Sequence, residues 1–290
     1  MNHNTSCSPL ARRALVTLVA SGLAAASLAA CSGSGGGDGS TSPSAAAPAT
    51  SGATLAIGVA TDEPGISVKE GSSYSGFDID TAKYVAGKLG VGESNIVWKP
   101  VAKADRESAL ASGEVDLVVQ SYSITDARKQ KVDFAGPYFE AKQDLLIRRN
   151  DETISSPETL DGKTLCSVKG TTSAAFVKQR YAGKITLREV PSLSECVRSL
   201  AAGDVDAVTD DDLILAGFAA TPEYKGVLRV LGKGFSDETY GIGVKKGDSA
   251  MVGKVNSALK EYISSGAWKK SLNETVAPSG YSVPAAPTVG

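Results

Sequence analysis

Two arginines, a run of three aspartates and a Gly-Thr-Thr turn are the residues of this sequence best equipped to hold a small charged molecule. Arg128 follows Ser123-Ile124-Thr125-Asp126-Ala127, where Thr125 or Ser123 is placed to cap a short helix and aim the guanidinium back over a strand end. A guanidinium meets a planar carboxylate through two parallel hydrogen bonds. The charged run Arg128-Lys129-Gln130-Lys131 equally allows a solvated arginine. Gly170-Thr171-Thr172-Ser173 lies between a strand and a helix, so its backbone N–H groups and hydroxyls suit an anion, or simply cap their own helix. Asp210-Asp211-Asp212 offers carboxylates for a cation, a metal or a helix cap near Leu213. One carboxylate bonded to a ligand ammonium fits best, because a calcium loop needs more oxygen ligands at regular spacing. Arg106 opens a helix, where a positive charge opposes the macrodipole; that suggests a use, with a salt bridge to Asp105 or Glu107 as the alternative.

What the chain lacks narrows the chemistry further. Arg12 and Arg13 precede an apolar stretch, Ala14 to Ala30, which reads as an export signal over residues 1–30. The stretch ends in Leu28-Ala29-Ala30-Cys31, which resembles the bacterial lipobox, cleaved and lipidated at Cys31. Its length and its Ser21, Gly22 and Ser27 argue against a spanning helix. The only histidine, His3, leaves with that signal, so histidine triads, Cys-His dyads and histidine zinc sites are excluded from the mature chain. Of the four cysteines Cys7 leaves and Cys31 takes the lipid; Cys166 and Cys196 remain, and in an exported protein they read as one disulfide. The mature chain carries 28 basic and 32 acidic groups, a net charge of −4, which gives no support to nucleic-acid binding. Neither a metal nor any other cofactor is expected.

The elements that must position these residues alternate between strand and helix. Thr54–Ala60 reads as a strand ending in a polar turn, Thr61 to Gly65; a helix follows from Phe77 with Asp78 as its N-cap, and Ile79, Ala82, Val85, Ala86 and Leu89 recur at helical spacing. Strands over 96–99 and 115–119 flank a helix over 105–112 closed by Gly113. The order is that of a parallel α/β sheet. An internal echo doubles it: the segment Ala109 to Val118 (ALASGEVDLV) is matched by Ser199 to Val208 (SLAAGDVDAV), in each case helix end, glycine and short strand. Each copy runs into polar residues, Gln120-Ser121-Tyr122-Ser123 and Thr209 to Asp212. Residues just past the carboxyl ends of parallel strands face the ligand crevice, so two lobes built alike would set these clusters opposite each other. Strands over 164–168 and 185–190 and helices over 173–181 and 194–202 belong to the second copy; a strand over 239–244 and a helix over 249–264 rejoin the first. The resulting division is signal 1–30, flexible Ser/Gly/Ala/Pro tether 31–53, lobe 1 of 54–143 plus 237–276, lobe 2 of 144–236, and a disordered C-terminal tail 277–290. Two crossings between the lobes form a hinge.

Gly76-Phe77-Asp78-Ile79-Asp80, Ser121 to Arg128, Phe134-Ala135-Gly136-Pro137-Tyr138 and Lys169-Gly170-Thr171-Thr172, taken in order, resemble the polar amino acid-binding (family 3) extracellular solute-binding proteins of ABC importers. The resemblance runs from about Leu55 to Leu272 and implies a bilobed periplasmic-binding-protein type II fold, a Venus flytrap of two α/β lobes on a two-strand hinge. It implies that Arg128 clamps a ligand α-carboxylate with help from Thr172 and the N–H groups after Gly170. Asp211 matches the family's ammonium-binding carboxylate, and Ser121 or the Ser123 region adds acceptors. Arg106 aligns with an arginine that, in relatives specific for acidic amino acids, pairs with the ligand's side-chain carboxylate. The Cys166 and Cys196 pair is likewise similar to the glutamate-binding branch. Residues 61–66 depart from the pattern: Pro64-Gly65 stands where many relatives have an aromatic that stacks on the ligand.

The expected protein is therefore a monomeric receptor for glutamate, then aspartate, glutamine or asparagine, held to the outer face of the cell membrane by its lipid and serving an ABC permease. Two other readings use the same fold: an enzyme acting on a small carboxylic acid through Glu63, Asp210 or Asp212, and a sensory module docking on a membrane receptor.

Overall fold

The computed structural model describes residues 52–290. The expected signal, Cys31 and all but the last two residues of the expected tether lie outside the described residues. Strand β1 (Leu55–Val59) is followed by three short strands, β2 (Asp62–Glu63), β3 (Ser67–Glu70) and β4 (Ser73–Ser75), which form a small antiparallel sheet of their own. The sequence reading has only a polar turn in this stretch. Gly65, at φ 79°, folds the chain back so that Asp62 and Glu63 pair with Val68 and Ser67.

Helix α1 (Phe77–Lys88) buries Phe77, Ile79, Ala82, Val85 and Ala86, the face set by the helical spacing. Asp78 is not its N-cap. Gly76 holds that position at φ 120°, packed so closely that a Cβ would stand 2.4 Å from the Ile66 carbonyl oxygen, and Asp78 turns inward from the first helical turn. Strand β5 (Ile96–Pro100), helix α2 (Arg106–Ser112), strand β6 (Leu117–Val118) and helix α3 (Asp126–Lys129) complete the first α/β unit. The long strand β7 (Val132–Arg148) then leads to β8 (Thr164–Val168), α4 (Thr172–Arg180), β9 (Thr186–Val190), α5 (Leu193–Ala202), β10 (Ala207–Asp211), α6 (Asp212–Ala220) and β11 (Leu228–Val230). The chain returns through β12 (Ser236–Lys245), α7 (Ser249–Ser264) and α8 (Ala267–Thr275).

The main sheet runs β5-β1-β6-β12-β7-β10-β8-β9, with β11 on β7. The parallel triplet β5-β1-β6 is thus repeated as β9-β8-β10. The sequence echo marks matching features of the two copies. Gly113 and Gly203 both adopt the left-handed conformation that ends a helix, at φ 76° and 88°. Three residues on, the Asp116 carboxylate accepts the Ala56 N–H at 2.8 Å and the Asp206 carboxylate accepts the Thr164 N–H at 2.7 Å, each tying the third strand of its triplet to the start of the first.

Strands β12 and β7 pair antiparallel from Ser236 opposite Gln143 to Lys245 opposite Val132, and Gln143 also pairs with Asp211. These two strands are the connection between the lobes. Cys166 on β8 and Cys196 on α5 are joined in a disulfide. The segment 277–290 is not disordered: the Tyr281 hydroxyl donates to the Asp212 carboxylate, Val289 is buried and the Gly290 N–H donates to the Gly136 carbonyl. Its Pro and Ala content conceals Tyr281, Val283 and Val289, which supply the apolar surface that docks it. No helix among the described residues is long and apolar enough to cross a membrane.

Candidate ligand-binding site

The two polar clusters meet between the lobes. Thr125 caps α3 by accepting the Arg128 N–H, which fixes the Arg128 backbone, and the guanidinium turns back under the strand end to donate to the Ser123 carbonyl at 2.7 Å. Arg106, almost fully buried, folds back from the first residue of α2. It donates to the carbonyls of Lys103 at 2.9 Å, Gln120 at 3.3 Å and Gly170 at 3.1 Å. The Gly170 carbonyl also accepts from Arg128 at 3.0 Å, so both arginines of one lobe grip one oxygen of the other. The Tyr122 ring lies under both guanidiniums, 4.2 Å from Arg106 and 4.8 Å from Arg128. Burial, with the Arg128 charge beside it, lowers the Arg106 pKa to about 10, still charged at neutral pH. Burial lowers that of Arg128 too, against the pull of Tyr122 and Glu107.

Gly170 sits at φ 86° with its Cα against Ala104; a Cβ would stand 2.5 Å from the Ala104 Cα, so only glycine allows this approach of the lobes. Thr171 caps α4, accepting the Ala174 N–H, and is committed to its own helix. Thr172 donates to Glu238 at 2.9 Å and lies 3.5 Å from the Ser123 hydroxyl across the crevice. Ser121 is held at φ 40°, in the left-handed region that serine rarely adopts. Its N–H donates to the Asp78 carboxylate at 2.7 Å and its hydroxyl to Glu63 at 3.3 Å.

Asp211 closes the far side at the end of β10. Tyr240 donates to one carboxylate oxygen, and the other is buried without a hydrogen-bond partner. Burial, reinforced by Asp210 and Glu238, pushes the Asp211 pKa well above its ordinary value. A cationic group arriving in the cavity would relieve that cost.

Arg106, Ser121, Ser123, Arg128, Thr171, Thr172 and Asp211 all line one small cavity, with Gly170 at its edge. Asp212 is not there: it accepts the Lys142 N–H and the Tyr281 hydroxyl, on a separate cavity. Lys103, which sequence reasoning passes over, is. Its ammonium lies 2.6 Å from Glu63 and 3.8 Å from Asp210. Lys103 follows β5 as Gln120 follows β6, so the strand-end rule that singles out Gln120 to Ser123 was the signal available. Tyr240 and Glu238 lie on the hinge strand, where no motif points to them. Among the described residues no group of three or more His, Cys, Asp or Glu side chains is placed to hold a metal ion.

The sequence pattern of the bacterial extracellular solute-binding proteins, family 3, matches residues 55–275. The chain belongs to that family. Among its relatives, the glutamate-binding protein GluB of Corynebacterium glutamicum is 37% identical over 239 residues, 79% of this chain and 80% of the relative. The ABC transporter glutamine-binding protein GlnH of Bacillus subtilis is 36% identical over 214 residues, covering 73% and 77%. A solved structure of an ancestral arginine-binding protein bound to glutamine superposes with a TM-score of 0.71 at 35% identity, over 77% of this chain and 97% of that one. This family 3 protein accordingly has the bilobed type II fold, and its crevice lies where the two α/β triplets present their strand ends to each other.

Proposed function

We propose that this solute-binding protein captures a polar amino acid between its lobes, glutamate foremost, and delivers it to an ABC permease. It does so as a monomer tethered by a lipid on Cys31 to the outer face of the membrane. The observation that carries the reading is the pairing of an unpartnered, buried Asp211 carboxylate oxygen with the guanidiniums of Arg106 and Arg128 across one cavity. A zwitterion matches both ends: its carboxylate takes Arg128 and the N–H groups after Gly170, and its ammonium takes Asp211. Arg128 belongs to one lobe and Asp211 to the other, so one ligand bridges them and favours the closed arrangement.

Glutamate is favoured by three cations, Lys103, Arg106 and Arg128, on one wall, and by relatives named as glutamate-binding. Three of the five guanidinium N–H groups of Arg106 serve backbone carbonyls, which fixes its plane for the remaining two. Glutamine is the second reading. It is supported by Gln120 Oε1 and Asp210 Oδ2, buried acceptors without hydrogen-bond partners, and by relatives named as glutamine-binding. Arg106→Ala separates the two: selective loss of glutamate and aspartate supports the acidic reading, and equal loss of glutamate and glutamine removes it. Recovery of the native protein with a permease and an ATPase tests delivery; recovery with a membrane kinase would point to sensing instead.

A further inference from the structure

The Lys103 ammonium has no role in gripping the backbone of an amino acid, yet it is buried and sits between the carboxylates of both lobes. Glu63, fully buried behind it, is raised in pKa by burial while Lys103 pulls it back, and Ser121 donates to its second oxygen. Burial works against the Lys103 ammonium, but Asp210 and Glu63 together outweigh it and keep it charged. The remaining charged neighbour, Arg106, turns its N–H groups toward the carbonyls of Lys103, Gln120 and Gly170. Lys103 also borders two cavities. It lines both the small cavity and a cavity of ≈ 390 Å³ that is also lined by Asp62, Gln120, Ser192 and Ser194.

We propose that Lys103 is a built-in cation that excludes cationic amino acids: its ammonium occupies the place, between Glu63 and Asp210, that the side chain of arginine or lysine would otherwise take. The inference rests on the reading of the crevice as an amino-acid site and goes beyond it by naming the residue that rejects one side-chain class. Two carboxylates facing each other across a closing crevice attract a cation strongly once water is excluded. With Lys103 supplying that cation internally, an arginine side chain meets like charge and a filled passage. With Lys103 neutral and shorter, the same carboxylates are left uncompensated and the passage to the larger cavity opens. Longer cationic side chains then gain both a counter-charge and room.

The test is calorimetric titration of wild type, Lys103→Gln and Lys103→Met with glutamate, glutamine, arginine and lysine. The glutamine side chain keeps a hydrogen bond to Glu63 without the charge, and methionine removes both. Arginine is expected to bind either variant at least about tenfold more tightly than wild type, while glutamate weakens. Adding Glu63→Gln to Lys103→Met should reduce the gain, because one of the two attracting carboxylates is gone. If wild type binds a polar amino acid and both variants rank arginine as before, the exclusion role falls and the receptor reading stands. If wild type binds no amino acid, both fall. If neither variant melts cooperatively, Lys103 is a structural counter-ion and the exclusion role is overturned.

Discussion

Replacing Arg128 by alanine removes the guanidinium that bonds Ser123 on its own lobe and Gly170 on the other, and that stacks on Tyr122. With the residue only 8% exposed, water cannot take its place at low cost. A ligand carboxylate loses two charge-assisted hydrogen bonds, each worth about 1.5 to 3 kcal/mol, so binding weakens by about 3 to 6 kcal/mol. That is roughly a 150- to 20,000-fold rise in Kd, for every amino acid alike, since the α-carboxylate is common to all. Arg128→Lys keeps the charge but not the planar fork or the stacking, and should lie between, about 10- to 100-fold weaker. Calorimetric titration of stripped protein reads the affinities, and thermal melts show that each variant is folded. A cooperatively folded Arg128→Ala protein that binds within about threefold of wild type would refute the role given to this arginine.

The raised pKa of Asp211 makes affinity pH-dependent. An ammonium binds the ionised carboxylate, so affinity should fall, and binding should release a proton, as pH is lowered through that raised pKa. Titrations in buffers of different ionisation enthalpy detect the proton, and Asp211→Asn should bind weakly without this pH dependence; an unchanged affinity from pH 8 to pH 5 in wild type would contradict it. Cys166 and Cys196 are 30 residues apart, and freeing a loop of that length costs about 3.5 to 4 kcal/mol in the chain-entropy estimate, or about 7 to 15 °C in Tm. Melting of the double alanine variant measures this, and a shift under about 2 °C would show that the bond contributes little to the folded state.

Much of the fold was legible because local signals and tertiary role coincide. The echo of Ala109–Val118 in Ser199–Val208 announces two equivalent triplets, and Asp116 and Asp206 make the same bond in each. Helix α7 follows its apolar period over its whole length. The hinge was harder: β7 is 17 residues long and passes from one lobe to the other, so its burial pattern follows changing neighbours rather than one two-residue period. Asp78 looks like an N-cap by type, but Gly76 takes that place and the carboxylate is drawn inward to the strained Ser121. In the site, the arginines and Asp211 are visible as residue types that chemistry would require. Lys103 is not, and Glu63 is visible only as one cleft carboxylate among several, because their pairing becomes informative only once they lie 2.6 Å apart.

The most direct measurement is calorimetric titration of the protein, stripped of ligand by unfolding and refolding, against each amino acid in turn. One-to-one binding of glutamate, with glutamine weaker and arginine and lysine weaker still, is the expected result. Preference for glutamine would keep the receptor and change its ligand, whereas binding of no amino acid by the refolded protein would contradict the reading of the crevice itself.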